Sequence, residues 1–349
     1  MKPLENQSQI ILRQQHLVLN QVLLLCPPAD DLASYLQQSA TVTTVKALTW
    51  DYSSYLHLQS KTETLYSLNI SDQWQPNQVI MFMPKSRKVL ALMLAVLNPI
   101  WNRLEKVWLV GEKREGIESS AKHLLKGIAR EIVKLDSARH CQLWELKLDG
   151  TGCQPISDHW QQDTLQLPES GSMDIHSLPG VFSQGRLDSG TELLLSALPE
   201  LNRLNTDESA RVLDFGCGYG VIGFYLKRLY NRAQVEMLDT NLLALESVKK
   251  TNEQNGLAVK VFPSSGLSAV QKGLTAIVTN PPFHQGVKKD VRTTHQFLRD
   301  CAAYLVRQGT LTLVANRFLP YAGWIEGYLG RPEILAENNQ FKVYHVLKS

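Results

Sequence analysis

Leu213-Asp214-Phe215-Gly216-Cys217-Gly218-Tyr219-Gly220 is the stretch on which the reading of this chain turns. Together with Arg211 and Val212 it predicts a short buried strand that ends in an acid and then runs into glycines at alternate positions. Glycine there lets the chain turn sharply and lets the backbone approach a ligand with no Cβ in the way. Val221 to Leu229 continues at helical spacing, so the turn opens a helix whose first N–H groups lie beneath whatever the loop holds. A strand, a glycine turn and a helix begin a doubly wound α/β domain, in which ligands bind at the carboxyl ends of strands.

The residues downstream repeat the alternation. Gln234–Asp239, Ala276–Thr279 and Thr310–Ala315 read as strands, Leu242–Gln254 and Phe297–Val306 as helices, and Phe341–Leu347 as the strand that closes the sheet. Strands separated by helices predict a mostly parallel sheet covered on both faces. Upstream, the same order recurs. Gln21–Leu25, Leu48–Asp51, Val79–Met83 and Val107–Val110 read as strands, with a helical run over Val89–Leu97. The turn after the first of these is Cys26-Pro27-Pro28-Ala29-Asp30-Asp31, with prolines where the other half has glycines. Proline fixes φ and has no N–H to offer a ligand. The chain is therefore expected to hold two tandem Rossmann-like domains. Residues 1–155 form a degenerate one without cofactor, 156–180 a breaker-rich linker with one short hairpin, and 181–349 the catalytic one.

Bulk properties bound the reading without deciding it. The chain has 349 residues, 44% hydrophobic and 20% charged, enough for two ordinary globular domains. A net charge of +3 is too mild to point to nucleic acid by itself. The five cysteines form no C-x-x-C pair, which suits neither a zinc site nor a disulfide framework and fits a reducing compartment. No metal is expected. The N-terminus does not read as a leader, and the longest apolar run, Val89–Leu97, is too short to span a bilayer, so no membrane association and a cytoplasmic location are expected.

The candidate site gathers at strand ends. Gly216, Gly218 and Gly220 form the cofactor loop, with Asp214 just before it to contact the ligand or order the turn. Asp239, about 20 residues past the turn, closes the next strand, where a carboxylate can hold two ribose hydroxyls. Ser265 falls where the third strand ends and is a candidate cofactor contact, a plain turn being the alternative. Cys217 reads as a small loop filler rather than a nucleophile. Asn280-Pro281-Pro282-Phe283 follows the fourth strand. An exocyclic amine on a base is a poor nucleophile because its lone pair is delocalised into the ring. The Asn280 side-chain oxygen and the Pro281 carbonyl can accept its two hydrogens, favour a pyramidal nitrogen and aim the lone pair, while Phe283 stacks on the flat ring. Asn280 also borders the cofactor. A dinucleotide enzyme is the rival reading of a glycine loop with an acid, but alternate glycines behind an acid depart from G-x-G-x-x-G. Together the two loops read as an N-methyltransferase that uses S-adenosyl-L-methionine.

Leu213 to Gly223 with Asn280-Pro281-Pro282-Phe283-His284 resembles the bacterial rRNA guanine-N2 methyltransferases. Gly180-Val181-Phe182-Ser183, Leu187-Asp188-Ser189-Gly190-Thr191, Asn316-Arg317-Phe318-Leu319-Pro320-Tyr321 and, in the first half, Trp108 to Gly116 extend the resemblance over nearly the whole chain. It implies N2-methylation of guanosine 1207 of 16S rRNA, with the small ribosomal subunit as partner; separately, the protein is expected to be a monomer. One departure is visible. Such enzymes usually carry an acid near the start of the strand before N-P-P-F, and Thr275 stands there. A relative with the same two halves methylates large-subunit RNA, and the motifs do not separate the two targets.

Lys288, Lys289 and Arg292 follow the catalytic loop and are expected to hold phosphates beside a flipped base. Lys85, Arg87 and Lys88 occupy the equivalent place in the first half, and with Arg103, Lys106, Lys113 and Arg114 suggest a second basic surface. Ordinary solvated faces are the alternative for both. His284 is a further candidate substrate contact. Two other functions stay open: methylation of a protein glutamine amide, which related enzymes perform with N-P-P-Y, and a non-catalytic RNA-binding role in ribosome assembly.

Overall fold

The computed structural model describes residues 2–18, 20–124, 127–150, 152–168, 170–183, 185–198, 209–281 and 288–349. The chain divides into two compact units, Met1–Trp160 and Gln161–Ser349.

The first unit runs α1 (Asn6–Arg13), β1 (Asn20–Leu25), α2 (Leu32–Gln37), β2 (Val42–Thr49), α3 (Tyr52–Leu58), β3 (Glu63–Tyr66), β4 (Gln78–Phe82), α4 (Arg87–Val96), β5 (Lys106–Glu112), α5 (Ile117–Ser119), β6 (Ala129–Ala138) and β7 (Cys141–Leu148). Its sheet has the order β3-β2-β1-β4-β5-β7-β6. The first five strands are parallel and β7 and β6 return antiparallel. Leu24, Ile80, Trp108 and Val110 bury one face of it together with Ile10 and Ile11 of α1.

The second unit begins with the hairpin β8 (Gln161–Leu167) and β9 (Gly171–Ser177). It continues through α6 (Ser189–Ala197), β10 (Arg211–Phe215), α7 (Val221–Leu229), β11 (Gln234–Asp239), α8 (Leu242–Asn255), β12 (Val259–Pro263) and β13 (Leu274–Thr279). It ends with α9 (Lys288–Tyr304), β14 (Leu305–Asn316), α10 (Tyr321–Glu326), β15 (Glu333–Glu337) and β16 (Phe341–Leu347). Its sheet order is β12-β11-β10-β13-β14-β16-β15. Numbered within each seven-stranded sheet, the strands follow the same order, which is the duplication the sequence suggested. Leu213, Ile277, Leu311 and Leu313 pack with Phe297 and Leu298 of α9 in the core of the second unit.

Several expectations need correction. The stretch 156–180 is not a free linker. Its hairpin belongs to the second unit and is tied to α8, because Thr251 Oγ1 accepts from His176 N at 2.9 Å and Ser247 Oγ from Leu178 N at 3.0 Å. The helix expected at Phe297–Val306 starts at Lys288 and stops at Tyr304, because Leu305 already pairs with Leu274 as β14 begins. β16, expected to close the sheet, is antiparallel to β14 and lies inside it, paired on its other side with the edge strand β15; β15, the edge strand β6 and its neighbour β7 were not anticipated. β6 mixes polar and apolar residues along a half-exposed edge, and β15 has only the short stretch Ile334–Ala336 between two glutamates, too short to mark a strand.

Candidate active site

β10 lies between β11 and β13, so the strand order reverses beside it and the carboxyl ends of three parallel strands converge there. The glycine loop emerges at this point. Gly216 N and Cys217 N both donate to Leu238 O, at 3.0 and 2.9 Å, which bends the chain over the end of β11. Gly216, Gly218 and Gly220 all have positive φ, at 70°, 54° and 90°. Their surroundings differ. A Cβ on Gly220 would stand 2.8 Å from Phe224 Cε2 and from Val248 Cγ2, so this glycine serves close packing of α7 and α8. A Cβ on Gly218 would meet nothing within 4 Å, so this glycine borders open space on the ligand side of the loop.

The two acids divide the work. Asp214, proposed as a cofactor contact or a loop-ordering group, is fully buried and accepts from Gly223 N at 2.8 Å, beneath the turn rather than in the cleft. Its other oxygen is buried without a hydrogen-bond partner. Burial, only partly offset by the Gly223 bond, pushes its carboxyl from 3.8 up to about 7. Asp239, at the end of β11, is partly exposed. Its Oδ2 accepts from Gly218 N at 2.9 Å and its Oδ1 from Asn241 N at 2.9 Å. It therefore braces the glycine loop from the end of the neighbouring strand. Cys217 is buried, and burial together with Asp239 and Asp214 drives its thiol well up, which fits a filler. Ser265 is partly exposed just past the end of β12. The neighbouring Ser264 is the buried structural serine, bonding Gly266 O at 2.8 Å.

Asn280 leaves β13 beside this loop. Thr279 Oγ1 donates to Phe215 O at 2.7 Å and locks the ends of β13 and β10 together. The Asn280 amide nitrogen donates to Asp188 Oδ2 at 3.0 Å and to Thr191 Oγ1 at 2.9 Å. Asp188 also caps α6, accepting from Gly190 N and Thr191 N. Sequence reasoning gave neither Asp188 nor Thr191 a role. They lie 92 and 89 residues away along the chain, and no local pattern announces such a contact. Pro281 is buried next to Asn280. Phe283 and His284 lie outside the described residues, as do the side chains of Lys288 and Lys289 on the first turn of α9. Arg292 is exposed on the same helix. Thr275, found where an acid was expected, accepts from Arg211 N at 3.2 Å, and the Arg211 guanidinium pairs with Glu236.

The pairing registers show what the first unit has at the corresponding places. Cys26 N donates to Leu48 O as Gly216 N does to Leu238 O, and Leu25 pairs with Leu48 and Met81. Aligned so, Leu24 stands where Asp214 stands, Thr49 where Asp239 stands and Phe82 where Asn280 stands. Asp51 corresponds to Asn241, not to Asp239, and like it caps the next helix, accepting from Ser54 N at 2.7 Å. The residue that matches Asn280 is Phe82 rather than Met83. The turn itself is filled by the chain. Asp30 accepts from Glu5 N, and Asp31 accepts from Lys2 N and lies beside His57 and Lys61.

The basic residues of the first unit do not form one surface. Lys85 and Lys113 follow the paired residues Phe82 and Val110 at the carboxyl edge of the sheet, with Arg87, Lys88 and Arg114 nearby in sequence. Lys106 instead pairs with Gln78 at the opposite edge and donates to Leu17 O, while Arg103 bonds Gln75. Among the described residues no group of three or more His, Cys, Asp or Glu is arranged to hold a metal ion, and no helix is long and apolar enough to cross a membrane.

Comparison with known proteins assigns this arrangement. The family described as methyltransferase small domain matches residues 172–345, and its companion, methyltransferase small domain N-terminal, matches residues 8–163. A ribosomal RNA small subunit methyltransferase C from Hahella chejuensis is 48% identical over 353 aligned residues, covering 100% of both chains. The chain belongs to the ribosomal RNA small subunit methyltransferase C family. A member from Acinetobacter baylyi is 36% identical over 98% of this chain and 99% of its own. Among solved structures, a T. thermophilus 16S rRNA N2 G1207 methyltransferase in complex with AdoMet and guanosine matches with a TM-score of 0.82. At 23% identity, over 99% of this chain and 92% of that one, it shows the shared two-domain methyltransferase fold.

Proposed function

We propose that the second unit transfers a methyl group from S-adenosyl-L-methionine to the exocyclic N2 of guanosine 1207 of 16S rRNA, on the small ribosomal subunit. The observation that carries this reading is the meeting of Asn280 with the glycine loop at the switch point of the sheet, in a chain matched end to end by small-subunit methyltransferases. The residues fit the cofactor. The open side of Gly218 leaves room for it, Asp239 presents a carboxylate at the ribose position, and Ser265 and Asn280 border the same strand ends. When bound, S-adenosyl-L-methionine supplies an electrophilic methyl group on a sulfonium.

The chain's own residues then have four tasks. Asn280 Oδ1 and the Pro281 carbonyl accept the two hydrogens of the guanine amine, holding its nitrogen and turning its lone pair toward the methyl group. Their dipoles stabilise the positive charge that grows on that nitrogen. Phe283 stacks on the base once it leaves its helix. No strong base is needed at the nitrogen, which becomes acidic only as the methyl arrives. Arg292, Lys288 and Lys289 hold flanking phosphates from α9, and Lys85, Arg87 and Lys88 offer a second phosphate-binding edge. The first unit takes no cofactor in this reading, supported by Leu24, Thr49 and Phe82 at the three positions that matter. Residues 181–349 carry the catalysis, and the protein works as a monomer, without a metal, in the cytoplasm.

The test is transfer of labelled methyl to ribosomal particles from cells lacking this protein, with nucleoside digestion. Label in N2-methylguanosine of the small subunit, lost in Asn280→Ala while cofactor affinity stays within about threefold, is the expected result. Label confined to the large subunit would reassign the target. Full turnover by Asn280→Ala would remove that residue from the reaction.

A further inference from the structure

The segment 186–191 touches both halves of the candidate site. Tyr219, in the glycine loop, donates its hydroxyl to Arg186 O at 3.0 Å. Two residues on, Asp188 Oδ2 takes three donors: Gly190 N at 3.0 Å, Thr191 N at 3.1 Å and Asn280 Nδ2 at 3.0 Å. Thr191, almost completely buried, accepts the other hydrogen of the same amide at 2.9 Å.

We propose that Asp188 and Thr191 are positioning residues that fix which end of the Asn280 amide meets the substrate. The proposal rests on the reading of Asn280 as the acceptor for the guanine amine. An asparagine side chain is a planar amide whose oxygen and nitrogen exchange places on a half-turn about one bond. With the oxygen toward the substrate it accepts from the amine. With the nitrogen there, it would present donors to a group that is itself a donor. Asp188 Oδ2 already accepts from two backbone N–H groups, so its third partner has to be a donor as well. Turning the amide over would set its oxygen 3.0 Å from a carboxylate oxygen, a repulsive contact in a partly buried site. Thr191 Oγ1 takes the second hydrogen and holds the plane of the amide. The helix cap thereby also selects the amide orientation, and Arg186, in the same segment, is tied to the cofactor loop.

Thr191→Val is the cleanest perturbation. It keeps the shape and the backbone N–H that Asp188 binds, and deletes only the hydroxyl. Turnover is expected to fall about threefold to tenfold, the range that one neutral hydrogen bond is worth, with cofactor Kd and particle KM within about twofold. Asp188→Asn, which keeps an oxygen in place of Oδ2, is expected to retain turnover within about threefold, and Asp188→Ala to lose about tenfold to a hundredfold, the range that hydrogen bonds to a charged group are worth. A purely structural Asp188 would instead lower thermal stability and cofactor affinity together and leave Thr191→Val silent.

A second measurement does not depend on activity. In the full-length chain labelled with 15N-asparagine, the side-chain amide protons of Asn280, assigned by their absence in Asn280→Ala, are expected to exchange slowly and to exchange faster in Thr191→Val. Wild-type turnover together with unchanged amide exchange in Thr191→Val would overturn the proposal. A wild-type chain that transfers no methyl to the particles would overturn the reading of the reaction, while the exchange experiment would still decide the amide clamp.

Discussion

Replacing Asp214 by asparagine should change how stability depends on pH, and the size of the change follows from its surroundings. The carboxyl is fully buried, accepts one hydrogen bond from Gly223 N, and has a second oxygen with no partner. Its pKa of about 7 lies above the unfolded value of 3.8, a difference worth about 4 kcal/mol between the two protonation states. The sign follows from linkage. Between those values the folded chain holds a proton that the unfolded chain releases. Asp214 thus costs nothing below the lower pKa, and wild-type stability falls as pH rises toward 7, by about 1.4 kcal/mol per unit at the steepest.

The side chain introduced by Asp214→Asn is neutral at every pH. It keeps an oxygen for Gly223 N and buries an amide in place of the orphan oxygen, a cost of about 1–3 kcal/mol that does not vary with pH. The variant is therefore expected to be no more stable than wild type at pH 4 and to gain on it by about 4 kcal/mol up to pH 8, then level off. Urea denaturation at pH 4, 6, 8 and 9, followed by far-UV circular dichroism together with the fluorescence of Trp324, the tryptophan of the second unit, reads the difference. Parallel curves for the two proteins would refute the argument, because they would mean that Asp214 titrates alike in the folded and unfolded chains.

Three further outcomes are expected. Asp239→Ala removes the acceptor for Gly218 N and Asn241 N along with the proposed ribose contact, and should weaken S-adenosyl-L-methionine by about tenfold or more in calorimetry. Gly220→Ala must place a Cβ 2.8 Å from Phe224 and Val248 at a φ of 90°, and should cost about 2–4 kcal/mol in denaturant titration. Arg292→Ala should raise particle KM with kcat unchanged and lower the salt dependence of binding by about one unit of slope. An unchanged slope would mean that Arg292 lies on an ordinary solvated face.

The glycine loop was legible because its geometry is local. Glycine at 216, 218 and 220 answers to backbone geometry, and each has the positive φ that the spacing implied. The parallel strands were legible because burial on both faces makes them nearly continuous apolar runs, as in Val22–Leu25 and Val79–Phe82. Edge strands such as β15, half exposed and carrying glutamates, lack that signal. A short hairpin was expected within 156–180, but its attachment to the second unit was hidden for a related reason. Its many polar residues and glycines read as a connection until Thr251 and Ser247 of α8 are seen to bond it.

The sequence by itself determined the fold class, the duplication and the two loops, because each is written in periodicity or in residues that are neighbours along the chain. Only the tertiary structure decided that Asp214 supports the turn from below, that Thr49 rather than Asp51 matches Asp239, and that Asp188 and Thr191 hold the amide of Asn280. Those facts depend on strand register and on contacts across some 90 residues of chain, and hydrogen bonds of that kind exist only once the sheet has brought its strand ends together.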